Sequence, residues 1–145
     1  MPVQALNEIL HSLTHAYKLG LRSGIKTQQI PLPVTHIRAL KGIRHNPHCT
    51  AQSIAQRMQR DKAQITRVLN ELHQEDFISK IDNPADRRSQ LLRLTTKGEK
   101  IVSQLDTVEQ QTRKTMTANI SDEEIAVFIR IANTMISNLS ENTAQ

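Results

Sequence analysis

The sequence predicts a mainly α-helical chain of 145 residues with one small β-hairpin. Three observations carry that expectation. Apolar residues recur at helical spacing in six separate stretches. Two neighbouring runs, residues 77–81 and 91–95, lean to β and flank the turn-forming Asp82-Asn83-Pro84-Ala85-Asp86. Aromatic residues make up only 2% of the chain, so Leu, Ile, Val and Met must build the core.

The first helix is expected over residues 4–23. Leu6, Ile9, Leu10, Leu13, Tyr17 and Leu21 form its stripe, with Tyr17 read as core, and Gly24 and Ile30-Pro31-Leu32-Pro33 end it. A second helix spans residues 34–45 on Ile37, Leu40 and Ile43, and Asn46-Pro47 stops it. A short third helix starts from Thr50 as N-cap and buries Ile54, Ala55 and Met58. A fourth starts at Asp61, with Gln64 three residues on in a capping-box arrangement, and buries Ile65, Val68, Leu69 and Leu72. After the hairpin, Thr95 caps a long helix to about residue 118. Ser121 and Glu124 form a capping box that opens the last helix. Two short helices followed by a hairpin match a winged helix-turn-helix. The expected division is residues 1–33, 34–98 and 99–145. The middle segment is a DNA-binding lobe, and the apolar end helices form a dimerisation region.

Charge follows the same division. Net charge is +5 overall. Residues 34–100 carry 13 Lys and Arg against 7 Asp and Glu, whereas residues 101–145 carry 3 against 6. A basic middle favours an acidic partner such as nucleic acid. No apolar run reaches the roughly 20 residues of a membrane span, and the first residues do not resemble a signal peptide. Cys49 is the single cysteine, so no internal disulfide can form, and the chain is expected in the cytoplasm. Glycine-rich phosphate loops, metalloprotease motifs and nucleophile elbows are absent, so neither an enzyme nor a cofactor is expected.

In a helix-turn-helix the second helix enters the major groove. Opposite the buried stripe of the fourth helix lie Lys62, Ala63, Thr66, Arg67 and Asn70, with Gln64 at the edge. Arg can read guanine, Gln adenine, and Ala or Thr a thymine methyl, while Lys62 suits a phosphate. Arg57 and Arg60, near the turn between the helices, also suit phosphates. Thr50 completes the DNA-contacting set with Arg87 and Arg88 at the hairpin tip, where a narrow minor groove attracts arginine. Asp86 is expected to support the wing by pairing with Arg67.

The stretch from Asp86 through Arg88 to Leu94-Thr95 resembles the D-x-R-x-x-x-x-x-L-T wing signature of the MarR family of bacterial transcription regulators. Thr66-Arg67, Phe77-Ile78 and Thr95-Thr96-Lys97-Gly98 are similar to that family too. The resemblance implies a homodimer on a palindromic operator, repressing transcription until a small aromatic or anionic ligand relieves it. It also implies that Arg88 enters the minor groove, supported by Arg67 and Asp86. Three positions depart from the family pattern: Asp76 replaces a usual Gly, Ser53 a common Glu, and Pro33 a capping residue. Two rival readings accompany this one, a winged helix that binds protein rather than DNA and a small-molecule or metal sensor. His11 and His15, four residues apart, have a spacing that can hold a metal, and Cys49 beside a helix start is a candidate redox thiol.

Overall fold

The computed structural model describes residues 2–143. Residues 1, 144 and 145, which the expected end segments include, lie outside the described residues. The elements run α1 (Leu6–Thr27), α2 (Val34–His45), α3 (Ala51–Met58), α4 (Lys62–Gln74), β1 (Ile78–Asp82), β2 (Gln90–Leu94), α5 (Thr96–Met116) and α6 (Asp122–Thr143). The strands pair antiparallel, with Ile78 opposite Leu94 and Asp82 opposite Gln90. Cys49 in the α2–α3 loop adds to the outer edge of β2, its carbonyl accepting from Leu92 N–H at 3.0 Å.

One aliphatic core holds α2, α3, α4, the hairpin and the first half of α5 together. Ile37, Leu40, Ile54, Ile65, Leu69, Leu72, Ile78, Val102 and Val108 are among its fully buried members, with Ala39 and Cys49. Phe77 is its one aromatic, with the Lys97 ammonium 4.3 Å from the ring centroid. Two ion pairs brace α2 against α5, Lys41 to Glu109 and Arg44 to Asp106. Among the described residues, no helix is long and apolar enough to cross a membrane.

Several helix ends follow side-chain chemistry. Thr50 and Ser53 cap α3 reciprocally, so Ser53 completes a capping box in place of Glu. Thr95 Oγ1 accepts from Gly98 N–H at 3.1 Å to open α5. Ser121 and Glu124 exchange hydrogen bonds at 3.1 Å, and these hold the Glu124 carboxyl below its ordinary range. Pro33 takes the N-cap place of α2 without a side-chain bond. Asp76 has φ of 65°, the left-handed turn that glycine would adopt more freely.

Three expectations are corrected. Gly24 does not end α1, which continues to Thr27 and stops where Gln29 turns left-handed at φ 54°. A Cβ on Gly24 would lie 2.5 Å from Val108 Cγ1, so this glycine lets α1 approach α5 rather than breaking the helix. The capping box at Asp61 and Gln64 is not formed; both residues are exposed, and Asp61 makes no side-chain cap bond. Water serves the first-turn N–H groups at such an open end. Tyr17 is not core. It is 39% exposed and walls a groove between α1 and α5 with Leu13, Thr112 and Met116. α1 buries none of its residues within this chain.

The root of the hairpin is tightest at Gly98, where a Cβ would fall 2.2 Å from the Phe77 carbonyl oxygen. Gly98→Ala is therefore expected to cost about 2–3 kcal/mol of stability. Asp76→Gly relieves a left-handed residue and is expected to gain about 0.5 kcal/mol, after the entropy that glycine adds to the unfolded chain. Urea unfolding midpoints at unchanged slope measure both.

Candidate nucleic-acid interface

α4 divides cleanly into two faces. Ile65, Val68, Leu69 and Leu72 are buried, while Lys62, Ala63, Gln64, Thr66, Arg67 and Asn70 are exposed. The spacing of the apolar residues produces this split, since positions three and four apart share a helix face. α3 packs beneath α4, and Gln59, left-handed at φ 53°, makes the turn between them. Arg57 and Arg60 are exposed, and the Arg57 stem lies over Gly42 of α2. Thr50 is half-buried at the start of α3, its hydroxyl engaged by the Ser53 N–H.

The wing tip is built from Asx turns. Asn83 Oδ1 accepts from Ala85 N–H, and Asp86 Oδ1 accepts from Arg88 N–H, each at 3.0 Å. Asn83 Nδ2 also donates to Ser89 Oγ at 3.0 Å, tying one side of the tip to the other. Short acidic and amide side chains that bond their own backbone two residues on are turn formers. Arg87 and Arg88 are left exposed at the apex.

The expected pair of Asp86 with Arg67 is not present. Asp86 is occupied by the wing backbone, while Arg67 Nε lies 3.6 Å from Glu71 Oε1, one turn along the same helix. Asp86 supports the wing from within the turn, because a short side chain reaches a backbone N–H two residues on more readily than it reaches α4. The tie between wing and helix is a different one: Lys80 Nζ of β1 donates to Asn70 Oδ1 of α4 at 2.8 Å.

Sequence reading also missed His36. Its Nε2 meets Glu71 Oε2 at 2.7 Å, joining α2 to α4, and its buried Nδ1 has no partner among the described residues. Glu71 thus holds both His36 and Arg67 and places a carboxylate at the far end of the exposed α4 face. These contacts span 10 and 35 residues of sequence, so no local periodicity signals them.

The remaining candidates separate from this face. His11 and His15 are exposed on α1, and among the described residues no three potential ligands gather around a metal-sized point. Cys49 is fully buried, with its thiol donating to Leu92 O at 3.5 Å. Burial pushes this thiol up from its ordinary value.

Helix-turn-helix, exposed polar α4 face and arginine-tipped wing now stand together. The MarR family model matches residues 32–90. That match runs from the start of the helix-turn-helix to the first residue of β2. The HTH-type transcriptional regulator BilQ of Clostridioides difficile (strain CD3) is 30% identical over 88 residues, 61% of this chain and 60% of BilQ. The match thus spans well under two thirds of that relative's length. Among solved structures, a mutant MarR from E. coli complexed with operator DNA superposes with a TM-score of 0.78 at 21% identity, covering 92% of this chain and 95% of the other. A MarR family protein from Bacillus stearothermophilus gives 0.81 at 19% identity, covering 96% of each chain. At such identities these structures establish the winged-helix fold of this chain.

Burial decides the chemistry of Cys49. A raised thiol favours the protonated form and slows attack on electrophiles. The stabilisation linked to this shift is full below the unfolded thiol's pKa and is lost as pH rises through the folded value. In the native protein at pH 8, Cys49 is expected to resist iodoacetamide, and to react as soon as urea unfolds the chain. Mass spectrometry of the alkylated protein reads the difference; rapid native labelling would contradict the buried geometry.

Proposed function

We propose that this chain is a homodimeric, sequence-specific DNA-binding regulator of transcription, acting as a repressor of a palindromic operator and relieved by a small ligand. One observation carries the reading. The exposed α4 face combines Lys62, Gln64, Thr66 and Arg67 with a wing that holds Arg87 and Arg88 clear of the protein. Base-reading and phosphate-binding side chains thus share one side of the lobe. In this reading α4 lies in the major groove and the wing in the neighbouring minor groove, with Arg88 inserted and Arg87 at the rim. Lys62 and Thr50 hold phosphates; Ala63, Gln64, Thr66 and Arg67 meet base edges.

Residues 34–98 form the DNA-binding unit of this proposal, and 1–33 with 99–145 form the dimerisation unit. The end helices support that division. Ile9, Leu10 and Leu19 of α1 and Val127, Phe128, Ile129 and Ile136 of α6 are all at least 44% exposed. Apolar surface on this scale marks a contact with another chain. Two lobes related by a two-fold axis would read half-sites about 10 bp apart. The groove between α1 and α5, about 420 Å³ and lined by Leu13, Tyr17 and Met116, supports relief by an aromatic ligand.

Selection of bound genomic fragments followed by gel shift tests the proposal, and the recovered site is expected to be an inverted repeat. Arg88→Ala should weaken binding to it by about 1–3 kcal/mol while the protein stays folded. Arg67→Ala should also lose discrimination against base changes in the major-groove half-site. If Arg67→Ala altered only the salt dependence, Arg67 would be a phosphate contact and not a reader.

A further inference from the structure

A cleft of about 430 Å³ separates the exposed face of α4 from the inner side of the wing. Lys62, Thr66 and Asn70 wall it on the helix side, and Lys80 and Arg88 on the wing side. Among the described residues, no carboxylate lies within ion-pair distance of Lys62, Lys80 or Arg88. Asp86, on the rim, already accepts the Arg88 N–H. The cleft therefore carries three cations, Lys62, Lys80 and Arg88, against the one carboxylate of Asp86.

Lys80 and Asn70 are arranged for an anion. An ammonium only donates, so the amide atom that meets it at 2.8 Å is the oxygen. This leaves the Asn70 NH2 group free as a donor, and two further N–H groups on Lys80. Neither residue belongs to the base-reading or wing-tip set above.

From this geometry we infer that the cleft seats one backbone phosphate of the duplex, held by Lys80 with Asn70 as its fixed co-donor. The inference rests on the DNA-reading proposal and adds to it a constraint from duplex topology. A major groove and its neighbouring minor groove are divided by one sugar-phosphate strand. A protein with α4 in the first and the wing in the second must let that strand pass between them, and the cleft is the space between them. Lys80 lies at its base, where it meets the strand whatever the sequence. It contributes affinity and register rather than discrimination.

The test uses the full chain on its selected operator and on a random-sequence duplex. Lys80→Gln is expected to weaken both equally and to reduce the slope of log affinity against log salt by about 0.9, the value of one phosphate contact. Lys80→Arg, which keeps the charge, should restore the slope. Operators carrying single methylphosphonate links, stepped along one strand, should show one position per half-site that weakens the wild type but leaves Lys80→Gln unaffected. An unchanged slope in Lys80→Gln, with the wild type binding normally, would overturn the seat and leave the DNA-reading proposal standing. Failure of the wild type to bind any duplex would overturn both. Inorganic phosphate is titrated at constant ionic strength to separate the two sources of the anion. Strong competition with the duplex, combined with no methylphosphonate effect, would assign the cleft to free anions and overturn the duplex seat.

Discussion

The hairpin begins and ends at a single point, and the placement of Arg87 and Arg88 at its tip depends on that closure. Asp76 turns left-handed after α4, Phe77 drops into the core, and the chain returns twelve positions after Ile78, its first strand residue, to Gln90 and then Thr95. There the Thr95 N–H bonds the Phe77 carbonyl at 3.1 Å, and its hydroxyl donates to the Asp76 carbonyl at 2.7 Å. Gly98 must then pass directly over the Phe77 backbone, which leaves no room for a Cβ. Lys97 closes the junction from outside, donating to the Glu75 carbonyl at 2.8 Å and covering the Phe77 ring. The end of α4, the root of the wing and the start of α5 are therefore joined at one knot. An arginine at the tip has a defined position relative to α4 because the knot fixes the root of the hairpin and the Lys80–Asn70 bond ties the middle of β1 to α4.

How much of this was legible depended on the range of the interaction. α2 matches its expected limits because Pro33 and Asn46-Pro47 punctuate it locally. The buried stripe of α4 follows from spacing alone, and the caps at Thr50, Thr95 and Ser121 are side-chain chemistry within three residues. Gly24 was misread because a glycine has two meanings, chain breaker and close contact, and only the position of Val108 distinguishes them. The tip was misread for the opposite reason. Asp86 was assigned a distant partner, although an Asx turn two residues away satisfies it first. The Lys80–Asn70 and His36–Glu71 contacts had no sequence signal, since each joins elements whose mutual orientation only the packed core sets.

The lobe and the end helices meet along α5, and the nature of that contact matters. Lys41–Glu109 and Arg44–Asp106 cross from α2, and Asp106 raises the Arg44 guanidinium still further above its ordinary value. Exposed pairs of this type contribute little to stability, because water and salt screen them. The stronger hold is apolar: Ile101, Val102, Leu105 and Val108 sit within the core that also contains α2 and α4. The ion pairs flank that apolar contact, joining Lys41 and Arg44 of α2 to Glu109 and Asp106 of α5.

α5 is also the one element that touches both ends of the molecule's chemistry. Its first turn is locked into the wing root through Thr95 and Gly98, and its last turns wall the groove beside α1 through Thr112 and Met116. At 21 residues it spans roughly 30 Å as a continuous helix. Its middle packs on Gly24 through Val108, at a contact that leaves no room for a Cβ. One continuous helix thus joins the α1 contact at Val108 to the wing root at Gly98, so the two share a single backbone element.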